Sequence, residues 1–257
     1  MGSTRSEFYD RYGDKWLSSG RDELEELAAE YKASTLCALI DGPAPKRVID
    51  FGCGLGSALH LVASALGATE AIGIDISRSM VEEAGRRHPE CTFICGGIEE
   101  LESRRADLLV LLDVIEHVDD VVSLLRLARS GAVRVAIKAP LEKTAYTRLL
   151  TALRLKGAGS RHLATEGHLH EFAERDVERL VAESGLRVVR SLVTAPPRPV
   201  WFHPYVREEL GAAGGIKGRA RRIGHALLER LPFGLAQRAL TLINGSDLFL
   251  VCEGGEL

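Results

Sequence analysis

The sequence predicts an α/β protein built on a doubly wound parallel sheet, on three observations. The stretch 46–57, K-R-V-I-D-F-G-C-G-L-G-S, holds an apolar run too short for a helix, which breaks into glycines at every second position and gives way to a helical pattern. Strand and helix patterns then alternate without a break as far as the apolar run Val133 to Ala139, the order that right-handed crossovers turn into a parallel sheet. Acids close two of the strands, Asp75 and Asp113, at the edge where open α/β sheets bind ligands.

The elements follow in order. Phe8, Tyr9, Tyr12 and Trp16 have helical spacing, either as a helix packed on the core or as a flap over a ligand. Leu24, Leu27, Ala28, Tyr31 and Thr35 mark one face of a second helix ending near Gly42-Pro43, so residues 1–45 read as an N-terminal helical segment. Val48, Ile49 and Phe51 form the first strand. Leu59, Val62, Ala63 and Leu66 lie on one helix face, with Ser57 available as a cap and Gly67 as a stop. Ala71, Ile72 and Ile74 make a second strand ending in Asp75. Ser77 and Ser79 offer caps for a helix through Met80, Val81 and Ala84, with capping-box spacing from Ser79 to Glu82 and a stop at His88-Pro89.

A third strand, Cys91 to Cys95, leads into G-G-I-E-E-L. Residues 107–112 are continuously apolar after Asp107, as expected where helices cover both faces of a parallel sheet. The fifth strand stops at Pro140. A helix from about Lys143 to Leu155 and a glycine-containing loop lead to E-G-H-L-H-E-F, then to a crossover helix with Val177, Leu180 and Val181 facing inward and Gly185 ending it. Leu186 to Thr194 is the sixth strand.

The glycines at 52, 54 and 56 let the backbone turn sharply and let a ligand lie against it. Nineteen residues beyond Gly56, the Asp75 carboxylate is placed to accept two hydrogen bonds from a ribose diol. A dinucleotide fingerprint is G-x-G-x-x-G, but here the third glycine arrives one residue early and Ser57 holds the required place. D-F-G-C-G-L-G resembles instead motif I of the class I S-adenosylmethionine-dependent methyltransferases, and D-V-I-E-H-V-D-D resembles their motif IV.

The resemblance covers about residues 46–194 plus a last strand. It implies a Rossmann-like, mostly parallel seven-stranded sheet with an antiparallel final strand, here Asp247 to Cys252, and S-adenosylmethionine as cofactor. It implies cofactor contacts at Asp50, Gly52, Cys53, Gly54 and Gly56 in the loop, and at Asp75, Ile76 and Met80 beside the ribose. Gly97 stands where the family usually has an aspartate for the adenine, leaving a backbone group at Ile98 or the Glu99 side chain for that contact. Asp113 and Val114 would flank the sulfonium, with Asp113 where the transferring methyl should be. His117 is read either as a structural histidine or as a substrate or cofactor contact. An acceptor hydroxyl would need a base, and the expected one is His168, with His170 and His117 as competitors. His162, Glu166, His168, His170 and Glu171 lack the spacing of a zinc or magnesium site, so no metal is expected.

The chain has 257 residues, 46% hydrophobic and 27% charged, which suits one large soluble α/β domain with an addition. No apolar run nears the roughly 18 residues that span a bilayer, and M-G-S-T-R-S-E lacks a signal-peptide core, so a cytoplasmic protein is expected. The five cysteines contain no C-x-x-C pair and read as reduced thiols. A net charge of -3 argues against nucleic acid as a partner.

The expected domain is 46–198 with 247–257, and the sixth and seventh strands are separated by an insertion, 199–246. With Arg198, that segment carries about +5 against about -8 for the remainder. It reads as a helical cap with a solvated basic rim, as a lid selecting an anionic acceptor, or as an interfacial surface for a lipid-linked one. The expected function is methyl transfer from S-adenosylmethionine to a small molecule, at oxygen more than nitrogen or carbon, because D-P-P-Y and N-P-P-Y are absent after strand four. The alternatives are a lipid- or sugar-linked acceptor, a non-catalytic cofactor-binding subunit and a nicotinamide-dependent reductase.

Overall fold

The computed structural model describes residues 5–18, 22–143, 167–196 and 246–255, with positions 200, 226, 227, 230–232 and 235. Helices α1 (Arg5–Leu17) and α2 (Asp22–Leu39) precede β1 (Arg47–Phe51), α3 (Ser57–Leu66), β2 (Glu70–Asp75) and α4 (Arg78–Arg87). Next come β3 (Thr92–Cys95), a short α5 (Glu99–Glu102), β4 (Ala106–Leu112), a 3-10 turn (Ile115–His117), α6 (Val121–Gly131) and β5 (Ala132–Leu141). The described chain ends with α7 (Glu174–Ser184), β6 (Arg187–Thr194) and β7 (Ser246–Glu253).

The strands form one seven-stranded sheet in the order β3-β2-β1-β4-β5-β7-β6. Strands β1 to β5 are parallel, while β7 runs antiparallel to both neighbours, as the resemblance implies. The order reverses between β1 and β4, so a crevice opens beyond their carboxyl ends.

Alternation along the strands sorts the core into two layers. Val48, Leu108, Val110, Leu112, Phe249 and Val251 pack against Ala33, Leu36, Leu59 and Val62 of α2 and α3. Ile49, Ile74, Leu109, Leu111, Ile137 and Leu250 pack against Leu101, Leu124, Leu125, Val177 and Val181 on the opposite face. The apolar run of β4 follows directly, since both faces are covered.

Of the expected caps, Ser57 is replaced and Ser77 is kept. Gly56 caps α3 with a positive φ of 78° and no side-chain bond, while the Ser57 hydroxyl donates to Glu25 Oε2 at 2.9 Å and so ties α3 to α2. Ser77 caps α4 by accepting from the Met80 N–H, leaving Ser79 inside the first turn. Strand β5 runs through Pro140 instead of stopping there. Its last pair with β4 is Leu112↔Lys138, so on that side the missing N–H has no partner to fail.

The expected helix over 143–155, the loop after it and the lid 199–246 lie outside the described residues, isolated positions aside. All five cysteines are free thiols. No helix of the described residues is long and apolar enough to cross a membrane.

Phe249 is fully buried between the sheet and α2, its ring edge-on to Tyr31 at 5.7 Å. Phe249→Ala should cost about 3–5 kcal/mol of unfolding free energy. Urea denaturation checks this, and a loss below about 1 kcal/mol would show that the layer closes over the gap.

Candidate active site

The loop after β1 is stitched to β2 by its backbone. Gly52 and Cys53 N–H both donate to the Ile74 carbonyl, at 2.7 and 3.2 Å. Gly54 N–H donates to Asp75 Oδ2 at 2.9 Å, and Ser77 N–H to Asp75 Oδ1 at 2.8 Å. Two glycines do different work. At Gly56 a Cβ would lie 2.5 Å from the Phe93 ring, so that position is glycine for packing. At Gly54, with φ 52°, nothing lies within 4 Å of where a Cβ would stand, so its backbone faces open space beside Asp75.

Cys53 is turned the other way. Its Sγ packs on Gly73 of β2, and burial, with Asp75 and Asp50 nearby, pushes the thiol pKa well up, so only its backbone belongs to the loop's open side. Val114 is buried against Gly52 and supports the loop from beneath. Met80 is buried in the first turn of α4. Beside Asp75, β2 and β3 end together, with Asp75 paired to Cys95. Gly97 N–H donates to Glu99 Oε1 at 2.7 Å, which occupies the carboxylate expected to be available for adenine, while Ile98 is exposed. Helix α1 lies close by: Arg78 N–H donates to Asp10 Oδ1 at 2.8 Å, and Gly13 sits against Ser77 and Ser79.

Asp50 is buried under the loop, and its Oδ1 has no hydrogen-bond partner among the described residues. Burial pushes its pKa up to about 7, against the pull of Lys32 and with a further push from Asp75.

Asp113 lies at the tip of β4, as the sequence predicts. It is the one non-glycine residue with positive φ, 59°, among the described residues, and its N–H donates to the Lys138 carbonyl at 3.0 Å. Its carboxylate pairs with buried Lys138 and with Lys32 Nζ at 2.8 Å. Lys138 Nζ also lies 2.9 Å from Asp247 Oδ1, and the Tyr31 hydroxyl donates to Asp247 Oδ2 at 3.0 Å. Burial would raise the Asp113 pKa, but the two lysines outweigh it and hold the carboxyl well below its usual range. Asp113 is therefore a fixed member of an ion-pair cluster at the tip of β4. The sequence signal for this was Lys138, a charge directly after the apolar stretch V-A-I and near the strand's carboxyl end, whereas Arg134 lies near its start.

The histidines separate into two groups. Leu169 and His170 N–H both donate to the Glu116 carbonyl, at 2.7 and 3.2 Å, which clips the loop 167–172 onto the 3-10 turn. His170 Nε2 donates to the Val118 carbonyl at 2.8 Å and its ring stacks on Phe172, so His170 anchors the loop. His168 and His117 do come together, edge to face, with ring centroids 4.7 Å apart. His168 is buried with Nδ1 at 3.1 Å from Glu142 Oε1. His117 Nδ1 lies 3.1 Å from the Tyr9 hydroxyl of α1 and 3.2 Å from the Gly167 carbonyl. Glu116, to which the sequence reading gave no role, is fully buried beside them.

A family profile for the methyltransferase domain matches residues 22–191. The chain belongs to the class I S-adenosylmethionine-dependent methyltransferases. Curated relatives include trans-aconitate 2-methyltransferase of Methylobacterium radiotolerans, 32% identical over 53% of this chain and 52% of that protein. The same enzyme of Methylobacterium nodulans is 36% identical over 39% and 40%. The chain thus spans about half the length of the curated relatives it matches. Among solved structures, a chain of the complex between the Haloferax volcanii Trm112 methyltransferase activator and a methyltransferase superposes with a TM-score of 0.64 at 16% identity, covering 99% of this chain and 100% of that one. Mitomycin 7-O-methyltransferase gives 0.52 at 19%, over 91% and 55%. At these identities the likeness concerns the fold, and the methyltransferase family leaves the nicotinamide-dependent alternative without support.

Two outcomes follow for this methyltransferase. Because folding raises the Asp50 pKa, the native state holds a proton that the unfolded chain releases, so stability falls as pH rises from about 4 to about 7. Asp50→Asn removes that loss, and its melting temperature should gain on the wild type more at about pH 8 than at about pH 4. An equal difference at both would show that Asp50 does not titrate in this window. Separately, Gly54→Ala should leave a folded protein, destabilised by about 1–2 kcal/mol, that binds S-adenosylmethionine at least tenfold more weakly in calorimetry. Gly56→Ala should instead lose stability first, through the clash with Phe93.

Proposed function

We propose that the chain transfers a methyl group from S-adenosylmethionine to an oxygen atom of a small molecule, and that carboxylic acids are the acceptor class to test first. The observation that carries the reading is the open backbone face of Gly54 beside the Asp75 carboxylate. A cofactor with a ribose diol and a methionine tail fits that pairing. Asp75 would receive the two ribose hydroxyls on lone pairs not used by Gly54 and Ser77, the glycine loop would pass beneath the methionine part, and the chain at Gly97 and Ile98 would border the adenine.

When bound, S-adenosylmethionine supplies a methyl already activated by its sulfonium. The protein's share is therefore alignment. A carboxylate is deprotonated near neutral pH and needs no base, whereas an alcohol would call on His117 or His168, the pair that lies together. Two further features support an acid. The relatives matched over about half their length are trans-aconitate methyltransferases, and the segment 199–246, proposed as the acceptor lid, is rich in arginine.

The test is S-adenosylhomocysteine release with a panel of di- and tricarboxylic acids, trans-aconitate included, beside phenols, amines and lipid- or sugar-linked acids. Turnover confined to free carboxylic acids is expected. Asp75→Ala removes hydrogen bonds to a charged group worth about 1.5–3 kcal/mol and should weaken cofactor binding roughly 10- to 150-fold. Its melting temperature is read alongside, because Gly54 and Ser77 N–H lose their acceptor as well. Unchanged cofactor affinity in that variant would overturn the reading.

A further inference from the structure

We infer that Glu116, His117 and His168 form a binding site for one divalent transition-metal ion of the zinc, cobalt or manganese class. One ligand atom from each of the three residues lies within 4.8 Å of the other two. The arrangement is built into the backbone, since the Glu116 carbonyl accepts both Leu169 and His170 N–H and thereby brings His168 against the 3-10 turn that carries the other two.

Both imidazoles are held from one side. The Gly167 carbonyl beside His117 Nδ1 can only accept, so Nδ1 carries the proton, with the Tyr9 oxygen beside it. His168 Nδ1 lies 3.1 Å from Glu142 Oε1. A carboxylate or carbonyl on the far nitrogen is the usual support of a metal-bound histidine.

Glu116 supplies the need for a cation. It is 0% exposed and neither carboxylate oxygen has a hydrogen-bond partner among the described residues. Such a group is costly unless it is paired. The nearby charges cancel without it: Lys138 is shared by Asp113 and Asp247, and Lys32 is held by Asp113. Glu116 is thus the surplus carboxylate of the cluster, and a divalent ion would satisfy it with the two imidazoles as co-ligands. Two imidazoles and one carboxylate suit a borderline metal rather than magnesium or calcium, which prefer all-oxygen sites.

Three protein ligands leave coordination positions open, as in catalytic sites. On the function proposed above, those positions would take a carboxylate oxygen of the acceptor. The sequence reading weighed a metal only within residues 162–171 and expected none. This site takes His168 from that stretch and draws its partners from about fifty residues upstream, a pairing no local spacing displays. A second cluster, His60, His88 and Glu90, serves as a control. It is more exposed, and its carboxylate already pairs with His60 Nδ1 at 2.5 Å.

The test uses the full chain, stripped with chelator and free of cofactor, titrated with Co2+ by visible absorption and with Zn2+ by competition. One ion per chain is expected, not displaced by a large excess of Mg2+. Glu116→Gln and His117→Asn should each weaken binding roughly a hundredfold or more, and Glu142→Gln about 10- to 100-fold through its support of His168. His88→Ala should change nothing. Circular dichroism on each variant identifies any that fails to fold, and the remaining ones then decide. No saturable binding by the wild type would mean a proton or water at Glu116 only and would overturn the inference, as would full affinity in the folded Glu116 or His117 variant, or loss confined to His88→Ala. Binding of S-adenosylmethionine is measured on the same samples, so an intact metal site with no cofactor binding would reject the proposed function and leave this inference standing.

Discussion

The buried ammonium of Lys138 constrains the rest of the site. A lone charge inside a sheet is prohibitive unless it is paired and hydrogen-bonded. Here the pairing draws in Asp113 from the end of β4, Asp247 from the start of β7 and, through Asp113, Lys32 from α2. The same contacts hold the antiparallel strand against the parallel ones at the edge where ligands bind. They also explain the backbone of Asp113. Its φ of 59° is an unfavourable conformation for a residue with a Cβ, and it persists because the carboxylate is held by two lysines and the N–H by the Lys138 carbonyl. The chain therefore leaves β4 in a fixed direction, which places Val114 under Gly52 and starts the turn that carries Glu116 and His117.

On the other side of the crevice the governing device is backbone polarity. Asp75 accepts one N–H from the glycine loop and one from the start of α4. Burial pushes its pKa up while these two N–H groups pull it down, so the carboxylate is positioned by neutral donors rather than by a counter-ion. Among the described residues no cation pairs with its oxygens, and the loop glycines are fixed relative to the acid that sits across from them.

What could be read from the sequence was whatever depends on neighbours in the chain. The strands, the glycine turn, Asp75 at a strand tip and the Gly67 and Gly185 helix stops rest on short-range periodicity and backbone preference, and the structure has them within a residue or two. Capping was less legible because it depends on competitors. Ser57 lost its expected role to Glu25, thirty-two residues away in sequence. Asp113 was placed correctly at its strand tip, but its partners Lys138 and Lys32 come from other elements, so the ion pairs were not legible from its neighbours in sequence. Alternation in H-L-H suggested that only one of His168 and His170 faces the site, yet nothing local said which. The decision comes from Glu116, whose carbonyl clips that loop onto the turn after β4.

Among the described residues, the buried acids Asp50 and Glu116 each carry a carboxylate oxygen without a hydrogen-bond partner. Asp50 lies under the loop that resembles a cofactor cradle, and Glu116 beside the paired histidines. A fold selected only for stability would pair such groups or replace them, since each costs about 1–3 kcal/mol or more. Proteins keep a cost of this kind where a ligand relieves it. At Asp50 the relief available to the chain alone is a proton, which its raised pKa already describes. At Glu116 two imidazoles lie within ligand distance, and a divalent ion would take them together with the carboxylate. The difference in neighbours, rather than in burial, is what makes one acid a support for the cofactor loop and the other a ligand.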